Sequence, residues 1–149
     1  MASATERQPI VSGPGQGEDY WFLGALTTIR ATGEATGGSV AVIETLAPRG
    51  HGSPLHVHTR EDEWFYVLEG ELLLIENEGE TIMRPGEAAG FKAGVANGHH
   101  LLNRTDRDAV YLEIGTRAKR ERAHYPDLDL VAVKDEAGYR YTREDGSPP

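Results

Sequence analysis

Apolar and polar residues alternate along this chain in short runs, each closed within a few residues by glycine, proline or asparagine. Tyr20-Trp-Phe-Leu-Gly-Ala-Leu-Thr-Thr-Ile-Arg30 is aromatic and β-branched, and Gly33–Gly38 separates it from Ser39-Val-Ala-Val-Ile-Glu-Thr-Leu46. Such residues fit a pleated surface, so each run is expected to form a strand. After the loop Ala47–Leu55, the runs Glu63–Leu68, Glu71–Glu76 and Thr81–Arg84 are joined by Glu69-Gly70 and Asn77-Glu78-Gly79. Gly and Asn tolerate positive φ there, which predicts a β-meander. Pro85-Gly86 makes a further turn before short strands over Ala88–Lys92 and His99–Asn103, and the apolar run Ala109–Ile114 reads as a buried strand.

From Arg117 onward the pattern is weaker. Ala118–Ala123 can start a helix that Tyr125-Pro126 would end, Leu128–Val133 reads as an edge strand, and Asp145–Pro149 as a frayed end. Many short strands with no long amphipathic helix predict an all-β sandwich or jelly-roll barrel. The expected organisation is an N-terminal arm over 1–19, a barrel over 20–116, and a C-terminal extension over 117–149 packed on the barrel.

Composition narrows the chemistry. A formal net charge of −9 disfavours nucleic acid and anionic membranes, whose binding depends on clustered Lys and Arg. The basic run Arg117–Arg122 is expected to be a solvated loop or helix face, and Glu71, Glu76, Glu78, Glu80 and Glu87 solvated carboxylates. With no cysteine, any metal must be held by nitrogen and oxygen. Neither a signal-peptide core nor a membrane span is evident, so a cytoplasmic location is expected.

The candidate chemistry sits in His56-Val57-His58, whose imidazoles point to one face of an extended strand. Two imidazoles with a carboxylate suit a divalent transition metal and leave coordination positions open. Glu61, Asp62 and Glu63 follow closely enough for a turn to return any of them. His51 and His124 are expected to be ordinary surface histidines.

Gly50, His56, His58, Glu63 and Gly70 fall at G-x5-H-x-H-x4-E-x6-G. This spacing resembles the first motif of the cupins, small jelly-roll barrels that hold a metal inside. The resemblance implies His56, His58 and Glu63 as ligands. Lys92-Ala-Gly94-Val-Ala-Asn-Gly98-His99-His100-Leu-Leu-Asn103 is similar to the second cupin motif, with Lys92 in place of proline and two extra residues after Gly94. The interval from His99 to Asn103 selects His99 as fourth ligand and turns His100 to the opposite face. Register kept from Gly94 would instead put Asn97 there.

The segment from Tyr20 to Glu71 resembles small cupins of quercetin dioxygenase-like type, notably in Trp21-Phe-Leu-Gly24 and Pro54-Leu-His-Val-His58. The resemblance implies a metal-dependent oxygenase acting on a small organic molecule, with one divalent ion (Fe, Mn, Ni, Cu or Zn) and Glu63 doubling as proton acceptor. The alternatives are a redox-neutral cupin isomerase, cyclase or lyase, and a non-catalytic metal-containing binding module. Phe65, Val67 and Asn103 are expected to line the substrate pocket. Trp64 and Tyr66 alternate outward, which suits the homodimer that cupins commonly form.

Overall fold

The computed structural model describes residues 9–149; the first part of the expected arm, residues 1–8, lies outside the described residues. In chain order the strands are β1 (Glu18–Phe22), β2 (Ala25–Ala31), β3 (Val40–Ala47), β4 (Val57–His58), β5 (Glu63–Glu69), β6 (Leu72–Glu76) and β7 (Gly79–Met83). They continue with β8 (Ala88–Phe91), β9 (His99–Leu102), β10 (Ala109–Thr116), β11 (Glu121–Tyr125), β12 (Leu130–Asp135) and β13 (Gly138–Thr142). Among the described residues no helix is long and apolar enough to cross a membrane.

All pairings between these strands are antiparallel. One wall of the jelly roll has the order β1-β2-β3-β10-β5-β8. The other is made of β13-β12-β11-β4 and β7-β6-β9, which an isolated bridge between His56 and His99 joins. Each of these two residues donates its backbone N–H to the other's carbonyl, at 3.1 and 3.2 Å.

Inward side chains change character along the strands. On β5 they run Val67, Phe65, Glu63, and on β10 Ala109, Tyr111, Glu113. Phe65 and Val67 are fully buried with Leu72, Leu74, Met83 and Leu101 in the apolar core, each such side chain contributing about 1.5–3 kcal/mol by leaving water. The opposite end of the same strands carries carboxylates.

The structure corrects three local expectations. Tyr20–Arg30 is two strands: Leu23 (φ 47°) and Gly24 (φ 87°) form a two-residue hairpin loop with both φ positive, whose twist matches the flanking strands. No helix occupies Ala118–Ala123; its second half enters β11, because pairing with β4 and β12 satisfies its backbone. The strand foreseen at Leu128–Val133 is Leu130–Asp135, and it is internal, paired on both sides.

Gly70 shows why the first motif ends in glycine. It has φ 77°, and a Cβ there would lie 2.9 Å from both Ala109 Cα and Asp108 O, backbone atoms that cannot rotate away. Gly70→Ala is expected to destabilise the protein by about 2–3 kcal/mol, read as a lower urea midpoint at unchanged m-value.

Candidate metal centre and cavity

His56 and His58 reach the barrel interior from adjoining positions at the start of β4, and Glu63 from the first residue of β5. The connecting loop is tied down by Glu121 of β11, whose carboxylate accepts the N–H groups of Thr59 and Arg60 at 3.0–3.1 Å and the Thr59 hydroxyl at 2.6 Å. Asp62 closes the loop by exchanging hydrogen bonds with Thr116.

Glu63 Oε2 is the point of convergence. It lies 2.8 Å from His56 Nε2, 3.0 Å from His99 Nε2 and 3.8 Å from His58 Nε2. His56, His58 and Glu63 offer donor atoms all within 4.8 Å of one another. The far nitrogens of two rings are already held: His56 Nδ1 lies 2.7 Å from Pro54 O and His99 Nδ1 3.0 Å from Asn97 O. With Nδ1 donating to a carbonyl, each ring presents Nε2 to the centre, the arrangement metal-binding histidines use. His99 is held in plane by stacking on Phe91, 3.6 Å between centroids. Three imidazole nitrogens and one carboxylate in a water-poor pocket fit a divalent transition ion.

Protons take that role in the metal-free protein. Burial alone would depress the His56 pKa, but attraction to Glu63 and the hydrogen bond between them outweigh it, and the ring is raised from 6.5 to about 9. Burial would likewise raise Glu63, yet His56 and the hydrogen bonds from His56 and His99 hold it far below the ordinary carboxylate range. His58 is lowered, chiefly by burial, so its ring stays neutral.

His58, Glu61 and Glu121 form a second grouping of potential ligands. Both carboxylates there are occupied by protein donors. Glu61 accepts from Arg117 Nη1 (2.9 Å), the Ala118 N–H (3.0 Å) and Lys134 Nζ (3.2 Å), and Glu121 from the Thr59–Arg60 loop and Arg122. This grouping braces the loop rather than holding an ion.

The candidate metal centre opens into a cavity of about 220 Å³. Phe65, Val67 and Asn103 do not line it, contrary to expectation. Phe65 and Val67 belong to the apolar core. Asn103 is fully buried, with Nδ2 donating to the carbonyls of Ala47 and Arg107 and Oδ1 accepting from Thr105, so it locks a loop. Asn97 is tied to Glu76 and Asn77, away from the centre. His100 pairs across to Ile75 on the face opposite His99. His51 lies near the Leu23 carbonyl and His124 near Glu144, both apart from the site.

Four residues that line the cavity were given no role by sequence reasoning. Glu113 of β10 is half-buried, accepts a 3.2 Å hydrogen bond from the Thr45 hydroxyl and is not among the metal donors. Desolvation and then repulsion from Glu63 push its carboxyl up to about 7. Beside it, the buried Tyr111 hydroxyl has no hydrogen-bond partner. Arg117 and Glu121, from the run expected to be solvated, also face the cavity. A lone glutamate inside the otherwise apolar run Ala109–Ile114 was the signal available for Glu113, since Glu is almost never placed in a core without a task.

Residues 42–115 match the family described as Cupin domain. A solved structure of a sugar phosphate isomerase from a cupin superfamily, from Silicibacter pomeroyi, is 40% identical, with 85% of this chain and 80% of that chain covered and a TM-score of 0.74. The chain is a cupin. A proposed sugar phosphate isomerase from Acidithiobacillus ferrooxidans, 23% identical over 89% of this chain and 87% of its own, shares the fold at a TM-score of 0.73. Quercetin 2,3-dioxygenase of Bacillus subtilis is 28% identical over 113 residues, 76% of this cupin; the match spans about a third (34%) of that relative's length.

The raised His56 pKa has a consequence for stability. Between pH 6.5 and about 9 folded metal-free protein keeps a proton that the unfolded chain releases. That contribution is complete below pH 6.5 and is lost as pH rises through about 9. The urea midpoint of chelator-treated protein is expected to fall over this interval, and His56→Ala to remove this dependence.

Proposed function

We propose that this cupin is a metal-dependent enzyme carrying out redox-neutral proton transfer, the isomerisation of a small hydroxy-carbonyl compound. The observation that carries the reading is Glu113: a second carboxyl in the cavity, outside the donor set, held by Thr45 and raised first by burial, a cause that persists when an ion neutralises Glu63. Two carboxyls whose surroundings drive their pKa values apart divide into an ion-holding group and a proton-carrying one. Glu63, kept ionised by its histidines, is a weak base, so the proton-acceptor role expected of it passes to Glu113. The 40% identity to a sugar phosphate isomerase supports the same class.

A divalent ion held by His56, His58, Glu63 and His99 supplies Lewis-acid polarisation of a carbonyl oxygen. Glu113 then takes the proton from the carbon beside the carbonyl and returns it to the neighbouring carbon. One C–H bond breaks and another forms, the hydroxyl proton passes to the former carbonyl oxygen, and no oxidant is consumed. A group with pKa near ambient pH is suited to both halves of that exchange. Thr45 orients the carboxyl by its hydrogen bond.

Oxygenation is the second reading, supported by the likeness to quercetin 2,3-dioxygenase and by a donor set that leaves positions open. The two separate in one experiment on protein whose bound metal is measured by elemental analysis. When aldoses and ketoses are assayed both free and as phosphate esters, at least one aldose–ketose pair is expected to interconvert with incorporation of solvent deuterium and without O₂ uptake. Glu113→Gln is expected to lower kcat about 10²–10⁴-fold with metal content unchanged. Stoichiometric O₂ uptake with a phenol or enol, and no isomerisation, would replace this reading with the oxygenase.

We also propose a homodimer formed through the outer face of the six-stranded wall. Trp64, Tyr66 and Leu68 are 55%, 41% and 39% exposed there, opposite Ile114 and Leu112 on the neighbouring strand. Light scattering is expected to give twice the chain mass, and the double variant Trp64→Glu/Tyr66→Lys a monomer.

A further inference from the structure

The carboxylate-rich cavity is walled by aromatic residues drawn from outside the matched segment 42–115. Tyr20 and Phe22 come from β1, Tyr125 from β11, and Tyr139 and Tyr141 from β13. β1 and β13 are the terminal strands of the two opposing walls. Tyr20, Tyr139 and Tyr141 remain 42%, 59% and 45% exposed, forming a rim, while Tyr125 lies deeper and stacks on His56 with 5.8 Å between centroids. Below that rim lie five carboxyls; Glu61 and Glu121 are engaged by the protein's own donors and Glu63 by its histidines, which leaves Asp62 and Glu113 with acceptor capacity toward the cavity.

Resting on the isomerase reading, we infer that the ligand is an uncharged polyhydroxylated ring of monosaccharide size, held between the tyrosines and hydrogen-bonded to the carboxyls of Asp62 and Glu113, and that it carries no phosphate. Sugar hydroxyls donate to carboxylates, and a ring's apolar C–H face lies well on an aromatic face. A phosphate dianion has only acceptor atoms, and set among acceptors it would be left unpaired, a costly arrangement. Among the described residues Arg117 is the only arginine or lysine lining the cavity, and its Nη1 is already spent on Glu61 and the Thr116 carbonyl. With Lys134, which also reaches Glu61, and a divalent ion, the positive charges only balance Glu61, Asp62, Glu63 and Glu121. The field at the rim agrees: Tyr20 and Tyr139 are raised first by desolvation and next by Glu113 and Glu61 respectively. A cavity of about 220 Å³ falls short of the roughly 300–1,000 Å³ that drug-sized ligands occupy.

Calorimetric titration of metal-loaded protein with free five- and six-carbon aldoses and ketoses, their phosphate esters and inorganic phosphate tests this. At least one free sugar is expected to bind ten times tighter or more than its own phosphate ester. Tyr139→Ala and Tyr141→Ala are expected to weaken that sugar tenfold or more with metal content unchanged. Tighter, salt-sensitive binding of the ester that Arg117→Met abolishes would overturn the inference, as would failure of every free sugar to bind at millimolar concentration. A phosphate ester isomerised while its free sugar goes unbound would sink the inference and leave the isomerase reading standing. A free sugar bound tightly but never turned over would do the reverse.

Discussion

Much of this molecule is organised around one oxygen atom. Glu63 Oε2 sits in a desolvated pocket within 3.8 Å of three imidazole Nε2 atoms. A carboxylate there is tolerable only because positive charge meets it, from a proton shared with His56 in the metal-free state or from an ion when one is bound. The polypeptide carries that requirement outward. His56 and His99, two of the three partners, also form the bridge that joins the smaller sheets into one wall. The bond network that positions the donors is therefore the network that closes the barrel, and the centre is difficult to loosen without loosening the fold.

The barrel also explains how two glutamates on neighbouring strands come to differ. Glu63 pairs across β5 and β10 with Gly115, and Glu113 with Phe65. Both point inward, but only Glu63 meets imidazoles at hydrogen-bonding distance. Glu113 meets a threonine hydroxyl and the repulsion of Glu63. Gly115 leaves space opposite Glu63, and a Cβ there would lie 2.9 Å from Arg117 Nη1. A small residue in one strand thus admits a cation from the next segment, which in turn pairs the buried Glu61.

The C-terminal extension does more than cover the barrel. β11 supplies Glu121, which holds the loop between His58 and Glu63 in shape, and it extends the wall through β12 to β13. Two tyrosines of the rim, Tyr139 and Tyr141, ride on β13. The grouped histidines and Glu63 lie in the segment that matches the cupin family, and the aromatic wall of the cavity is drawn from strands at either end of the chain.

The sequence alone determined the all-β class and most strand positions, and it singled out His56, His58, Glu63 and His99, whose side chains converge in the fold, because these depend on local rules. Side-chain alternation along a strand, positive φ at Gly50 and Gly70, and fixed motif spacing are visible in a linear string. What it could not determine is which inward residues face solvent space and which face other side chains. Phe65, Val67 and Glu113 have equivalent inward positions on paired strands, yet two are core and one lines the cavity. Only the closure of two walls decides that. The same holds for Arg117 and Glu121: they looked like a solvated charge run until β11 paired with β4, when hydrogen-bond partners some sixty residues away turned them into structure. Contacts of that range depend on the path of the whole chain, which neighbouring residues do not encode.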